Sequence, residues 1–268
     1  MEFFGLVGEK LSHSLSPEIH EEIFKGLNVN CAYKLFEIKK SNINDLSDAL
    51  RTLSIRGVNV TIPYKEVVME SLDEISDEAK KIGAVNTIFN KDGKLIGYNT
   101  DYYGFKYMLL DKNINIKDKR VVILGTGGAS KAVLACILDM DASEVLLVSR
   151  NIRYNDFNDE RVKYITYDEL KNIDGEVIIN ATPVGMYPKV TKSPVGKNII
   201  KNYNSVVDLI YNPMDTEFLK YGKELNKNTC GGLMMLVVQA ICSEEIWQGR
   251  SIDKKVIIDI YNNLSKKF

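Results

Sequence analysis

Short apolar blocks alternate with stretches of helical period along this chain, and the alternation runs in two rounds. Phe3 to Val7 reads as a strand, and Pro17 to Leu27 reads as a helix with Ser16 as N-cap and Pro17 at the first helical position. A strand fits Tyr33 to Glu37, a helix fits Ile43 to Leu53, and Gly57-Val-Asn-Val-Thr61 is a short buried strand that ends ahead of Pro63. This first round is β-α-β-α-β. A helix from about Ser76 to Lys81 follows, then two apolar segments, Ala84 to Phe89 and Lys94 to Gly97, with Asn90-Lys-Asp-Gly93 between them. That turn chemistry predicts a hairpin.

The second round opens at Arg120-Val-Val-Ile-Leu124, passes through a helix at Ala129 to Leu138 and reaches a strand at Glu144 to Val148. Later strands fit Val177 to Asn180 and Val206 to Leu209, and a helical stretch begins near Met234. The change of rhythm between Asp101 and Lys119 sets the boundary. The expected fold class is α/β, with two α/β domains around a cleft, the second a Rossmann-type doubly wound parallel sheet. Residues 1–101 form the first domain, completed by C-terminal helices from 235–268 that pack back on it, and residues 102–234 form the dinucleotide domain. A length of 268 residues suits two domains better than one, because single cores stop growing near ~250 residues.

A charged fraction of 26% beside an apolar fraction of 45% is the balance of a globular chain with a core. The formal net charge of −1, with lysines dispersed among acids, gives no general attraction to nucleic acid or to anionic lipid. No apolar run approaches the ~20 residues that span a bilayer, and the first residues do not resemble a signal peptide, so a cytoplasmic location is expected. Cys31, Cys136, Cys230 and Cys242 lack C-x-x-C spacing and read as reduced, mostly buried thiols. With only His13 and His20, the chain lacks the ligands of a catalytic metal site, and no metal is expected.

The chemistry gathers around a glycine-rich loop, Gly125-Thr126-Gly127-Gly128-Ala129-Ser130, placed between a strand and a helix. Gly125 permits a tight turn, Gly127 lets a pyrophosphate approach the backbone, and the helix N-terminus faces the phosphates. The third position of the pattern is Ser130 in place of Gly or Ala. The following strand ends in Ser149-Arg150-Asn151, with Arg153 close by, where an acid would accept a hydrogen bond from a ribose 2′-hydroxyl. A guanidinium there suits a 2′-phosphate, so NADP is the expected cofactor in preference to NAD.

Ahead of that loop stands a polar set, Thr61, Lys65, Asn86 and Asp101. Lys65 follows a strand end on a rigid turn, and Asn86 and Asp101 lie at the open end of the hairpin. A lysine beside an aspartate is commonly a surface ion pair, but together the two could move a proton while a cofactor moves a hydride. Ser12-His13-Ser14-Leu15-Ser16-Pro17 sets hydroxyls at alternate positions before a helix, which suits a carboxylate. His13 reads as a partly exposed loop residue, since its sequence neighbours offer no carboxylate to orient it. Asn180-Ala-Thr182-Pro183-Val-Gly185-Met186 ends a strand with small residues, as needed where a nicotinamide lies against backbone. Asp208-Leu209-Ile-Tyr211 and Gly232-Leu-Met-Met235-Leu-Val-Val-Gln239 follow in order.

Over nearly its whole length the chain resembles the shikimate dehydrogenase family. The resemblance rests on S-x-S-x-S-P at Ser12 to Pro17, N-V-T-x-P-x-K at Asn59 to Lys65, G-A-V-N-T at Gly83 to Thr87, G-x-N-T-D at Gly97 to Asp101 and N-A-T-P-x-G-M at Asn180 to Met186. It implies reversible NADP-linked reduction of 3-dehydroshikimate to shikimate, on the way to chorismate and aromatic amino acids. It further implies Ser14 and Ser16 at the substrate carboxylate, Thr61, Lys65, Asn86, Asp101 and Gln239 at the ring hydroxyls, and Tyr211 near the substrate. Gly125 to Ser130 would hold pyrophosphate, and Arg150 the 2′-phosphate. Leu209, Gly232 and Met235 would border the nicotinamide. The chain departs from the family in having Ser149 and Asn151 on either side of Arg150, in the position of Arg153, and in the bulk of Met234 and Val238. A quinate or dual quinate/shikimate dehydrogenase is the neighbouring reading, and a nucleotide-sensing regulator the reading from another class. The partner is a small-molecule substrate, and monomer and homodimer are both open.

Overall fold

Alternation along β1 (Glu2–Gly8) supplies both faces of the first sheet. In the computed structural model, which describes residues 1–150 and 159–268, Phe4 and Leu6 join a cluster with Leu11, Phe24, Tyr33 and Trp247, whereas Val7 joins Val58, Val60, Ile88 and Leu95. Successive side chains of a strand point to opposite faces, so one strand feeds two apolar layers.

The chain divides into two units, Met1–Gly104 with Val237–Asn263 and Phe105–Leu236 with Leu264–Phe268. In the first, β1, α1 (Ser16–Leu27), β2 (Cys31–Glu37), α2 (Leu46–Thr52) and β3 (Gly57–Val60) realise the expected β-α-β-α-β rhythm. They are followed by β4 (Glu74–Ile75), α3 (Asp77–Ile82), β5 (Thr87–Lys91), β6 (Lys94–Tyr98) and α4 (Asp101–Asp111). The sheet order is β2-β1-β3-β5-β6-β4. β1, β2 and β3 are parallel, β5 is antiparallel to β3, and β6 is antiparallel to β5. The hairpin turns on Asp92 and Gly93, both at positive φ (54° and 92°), the geometry that matches strand twist in a two-residue turn.

In the second unit, β7 (Arg120–Leu124), α5 (Gly128–Asp139), β8 (Glu144–Val148), β9 (Val162–Ile165), β10 (Val177–Asn180), α6 (Lys197–Ile200), β11 (Ser205–Asp208), α7 (Glu217–Glu224) and β12 (Asn228–Cys230) form an all-parallel sheet ordered β12-β11-β10-β7-β8-β9. Counted from β7, this is the 3-2-1-4-5-6 order of dinucleotide-binding folds. Its four central strands, β7, β8, β10 and β11, are buried on both faces and carry apolar runs such as Val121-Val-Ile-Leu124. The chain ends with α8 (Leu233–Gln248) and α9 (Lys254–Ser265).

Three local expectations are corrected. Ser16 is not the N-cap of α1: the helix begins at Ser16 itself, Leu15 holds the cap position, and the Ser16 amide donates to Ser14 Oγ at 3.2 Å. The helix expected over Ile43 to Leu53 is a 3₁₀ turn, Lys40–Asp45, leading into the shorter α2. The strand expected to reach Leu209 ends at Asp208, whose carboxylate accepts the Ile210 amide at 3.0 Å and turns the backbone out of the ladder.

Candidate functional site

Sheet topology brings distant segments of the first unit to one edge. Because β5 runs antiparallel to β3 and β6 antiparallel to β5, the carboxyl ends of β1, β3 and β6 lie beside the amino end of β5. Ser14 and Ser16 follow β1, Thr61 and Lys65 follow β3, Asn86 precedes β5, and Asp101 follows β6 as the first residue of α4. The carboxyl ends of strands are where α/β sheets bind ligands, since the connecting loops converge there.

Lys65 Nζ donates to Asp101 Oδ2 at 2.5 Å, and Asp101 Oδ1 accepts from Asn86 Nδ2 at 2.9 Å. Both members of the ion pair are largely withdrawn from solvent, at 12% and 9% side-chain exposure, so this is not the screened surface pair that spacing alone would allow. Asn86 cannot turn its amide over. Its Oδ1 accepts the Thr100 amide at 2.7 Å and the Thr87 and Thr100 hydroxyls at 3.0 and 3.1 Å, which leaves Nδ2 for Asp101. Ser14 Oγ donates to Ser16 Oγ at 3.1 Å. Tyr33, whose phenol meets Ser16, donates to Asn59 Oδ1 at 2.8 Å. Burial, then the nearby Glu244 charge, raise the Tyr33 pKa well above its ordinary value, so this phenol stays a donor. Gln239 is a buried residue of α8, within the same unit.

The expected cofactor residues of the second unit all follow carboxyl ends of its parallel strands. Gly125 has φ +107°, and a methyl there would meet Thr182 Cγ2 at 2.9 Å, so only glycine fits between the ends of β7 and β10. A methyl on Gly127 would meet nothing within 4 Å, leaving open space over the backbone that leads into α5. Ser130, at the position where the motif has Gly or Ala, is buried and its Oγ donates to the Gly125 carbonyl at 2.7 Å, pinning the loop to the helix. Thr126, Gly128 and Ala129 lie in this loop or the first turn of α5, whose leading amides have no acceptor within the helix. The loop and its open face therefore fit a pyrophosphate.

Ser149 donates its amide to Ile165 O at 3.1 Å, and Arg150 is exposed beside Tyr167, whose pKa is raised by burial and drawn down by that guanidinium. Arg153 lies outside the described residues. Thr182 donates through both amide and hydroxyl to Asn180 Oδ1, at 3.0 and 2.7 Å. A methyl on Gly232 would lie 2.1 Å from the Leu209 carbonyl, which fixes close approach of those two segments, and Met235 is buried on the same helix start. Tyr211, with a pKa raised by burial, belongs to this second unit.

Asp208 organises these segments. It accepts from Asn180 Nδ2 at 3.0 Å, the Ile210 amide at 3.0 Å and Thr216 Oγ1 at 2.7 Å, and burial nevertheless pushes its pKa up to about 7. Thr216 in turn caps α7 by accepting the Leu219 amide.

Several of these residues escaped sequence reasoning. Thr87 and Thr100 stand inside two of the motifs, and Asn59 carried a signal as the polar position between Val58 and Val60, but Ser243 on the mainly apolar α8, whose hydroxyl accepts from Asn59 Nδ2 at 2.8 Å, carried none. His20 is fully buried, pairs through Nδ1 with Glu244 at 2.6 Å and stacks on Tyr33 with ring centroids 4.0 Å apart, while His13 is exposed. Among the described residues, no cluster of His, Cys, Asp and Glu could hold a metal, and no helix is long and apolar enough to cross a membrane.

Comparison with known proteins adds an independent line. Residues 6–88 match the shikimate dehydrogenase substrate binding domain family. The chain is 55% identical, over the full length of both, to the NADP(+) shikimate dehydrogenase of Clostridium beijerinckii. It superimposes with a TM-score of 0.95 on the crystal structure of shikimate dehydrogenase 1 from Peptoclostridium difficile, at 53% identity over 98% of each chain. A Thermus thermophilus shikimate 5-dehydrogenase solved with NADP(H) and shikimate gives a TM-score of 0.85 at 28% identity, over 98% of this chain and 99% of that one.

Proposed function

The chain belongs to the shikimate dehydrogenase family, and on that premise we propose that it interconverts 3-dehydroshikimate and shikimate with NADP, in the biosynthesis of chorismate and the aromatic amino acids. The observation that supports this most is the Lys65–Asp101–Asn86 chain at one sheet edge, an oriented cation, carboxylate and amide largely withdrawn from water. NADPH, when bound, supplies the hydride to the ring ketone. Lys65 gives a proton to the ketone oxygen as charge develops there, and takes it back in the oxidative direction. Asp101 holds Lys65 in place through the 2.5 Å hydrogen bond and is aimed by Asn86. Such general acid help is typically worth ~10²–10⁴ in rate.

In this reading Ser14 and Ser16 take the substrate carboxylate, and Thr61, Asn86 and Gln239 take ring hydroxyls, with Tyr211 also near the substrate. The substrate-binding and catalytic part is residues 1–101 with 235–268, and the NADP-binding part is 102–234. The loop from Gly125 to Ser130 holds the pyrophosphate. Ser149 and Arg150, with Arg153, take the adenosine 2′-phosphate, and Thr182, Leu209, Gly232 and Met235 border the nicotinamide. The location is cytoplasmic, in keeping with free thiols at Cys136 and Cys230, which burial pushes up to about 12.

The test pairs shikimate or quinate with NADP or NAD and follows nicotinamide absorbance, for the wild type and for Lys65→Ala. Reduction of NADP with shikimate, with turnover down by ~10²–10⁴ in the variant and KM little changed, is expected. Preference for quinate, or no reduction in any pair, overturns the reading, and undiminished turnover in Lys65→Ala removes the lysine from it.

A further inference from the structure

Thr61, Asn86, Asp101 and Gln239, assigned above to the substrate, each either supply or stand within two residues of a group that meets one buried hydroxyl. Ser243 Oγ, fully buried on α8, accepts from Asn59 Nδ2 at 2.8 Å, lies 3.0 Å from Thr87 Oγ1 and 3.2 Å from Thr100 Oγ1, and donates to the Gln239 carbonyl at 2.9 Å. Asn59 leads into Thr61, Thr87 follows Asn86, and Thr100 precedes Asp101. The strand end, the two hairpin ends and α8 thus meet at a single side-chain oxygen.

A hydroxyl offers one proton and two lone pairs, and here all are committed. The proton goes to Gln239 O and Asn59 Nδ2 donates to one lone pair, and the other is left to Thr87 or Thr100, whichever is not giving its single proton to Asn86 Oδ1. Directionality matters because the residues of α8 around Ser243, such as Val237, Ala240 and Ile241, are buried apolar groups. Apolar packing is non-directional and leaves a helix free to slide or turn. Gln239, Ser243 and Trp247 are spaced four apart and share a face, and Trp247 Nε1 donates to the Ile88 carbonyl at 3.0 Å one turn further on.

We infer that Ser243 is a positioning residue, which sets the register of α8 so that Gln239 meets the same substrate as Asn86, Asp101 and Lys65. The inference rests on the proposed function, in particular on Gln239 as a substrate contact.

The experiment is a double-mutant cycle in the full-length enzyme, with Ser243→Ala, Gln239→Ala and the pair, reading kcat and the KM values for shikimate and NADP. Loss of a buried hydrogen bond of ordinary strength corresponds to a rise of about fivefold to tenfold in the shikimate KM of Ser243→Ala. Turnover should stay within about threefold, and the NADP KM should rise less than that for shikimate, because Met235 shares α8 but the glycine loop and Arg150 stand on other elements. In the Gln239→Ala background the Ser243 substitution should add no more than about twofold. Full additivity, or a parallel rise in the NADP KM, overturns the positioning role alone. An unaltered shikimate KM in Gln239→Ala overturns the role of Gln239 and the inference with it. Should Ser243→Ala not fold, Ser243→Cys, of similar size and with a weaker donor and acceptor, goes through the same cycle and must show the same non-additivity.

Discussion

Replacing Asp208 by asparagine should remove a pH dependence of stability that the wild type carries. The carboxyl sits at the end of β11, fully buried, with Asn180, Thr216 and the Ile210 amide as its partners. Charged groups on α7 and just ahead of it are engaged elsewhere, Glu217 with Lys220 and Asp215 with Lys223. Burial raises its pKa from 3.8 to about 7, so the folded protein holds this proton more tightly than the unfolded chain does. The contribution is therefore fully favourable below the unfolded value, is lost as pH rises between 3.8 and about 7, and is level above that. A shift of that size corresponds to about 4 kcal/mol in all, of which roughly 2–3 kcal/mol accumulates between pH 5 and pH 8.

Asparagine keeps one oxygen for the two N–H donors and turns an NH₂ toward Thr216, a cost that does not vary with pH. Denaturant unfolding of both proteins across pH 5 to 8 should then show the stability difference, wild type minus variant, falling by roughly 2–3 kcal/mol as pH rises. Parallel profiles would refute the reasoning, since they would mean that Asp208 has the same proton affinity folded and unfolded.

Two further substitutions probe the cofactor and the core. Arg150→Ala should raise the KM for NADP about tenfold while leaving that for NAD nearly unchanged, the difference expected for one exposed charge-assisted contact to a phosphate; equal changes for both cofactors would place the guanidinium away from the 2′-phosphate. Gly57→Ala would bring a methyl to 2.4 Å from Trp247 Nε1, and overpacking of this kind costs about 1–3 kcal/mol. A lowered melting temperature is expected, and an unchanged one would show that the indole is not held against β3.

Local pattern was enough for much of this protein. Strand-forming runs such as Arg120 to Leu124 and Val177 to Asn180, a hairpin turn within Asn90 to Gly93, and the glycine loop at the head of α5 are decided by side-chain alternation, backbone freedom and the space a residue occupies, all of which act over a few residues, although the turn is narrower than expected because Asn90 and Lys91 belong to β5. Elements with little local signal were missed: β4 is two residues long, and β12 and α6 are three and four. So were the boundaries that a side chain sets by taking up a neighbouring backbone amide, as where Ser14 takes up the Ser16 amide or Asp208 ends its strand by capturing Ile210 N. The motifs named Lys65, Asn86 and Asp101 as a set, but their spacing allows an exposed ion pair as readily as an oriented one.

Tertiary structure decided between those two. The mixed order of the first sheet brings the ends of β3, β5 and β6 together, and burial then makes each hydrogen bond directional and costly to break. Ser243 is the clearest case of what the sequence could not disclose. Its four partners lie at sequence separations of 4 to 184, and a lone serine in an apolar helix acquires a role only when folding places those groups around it.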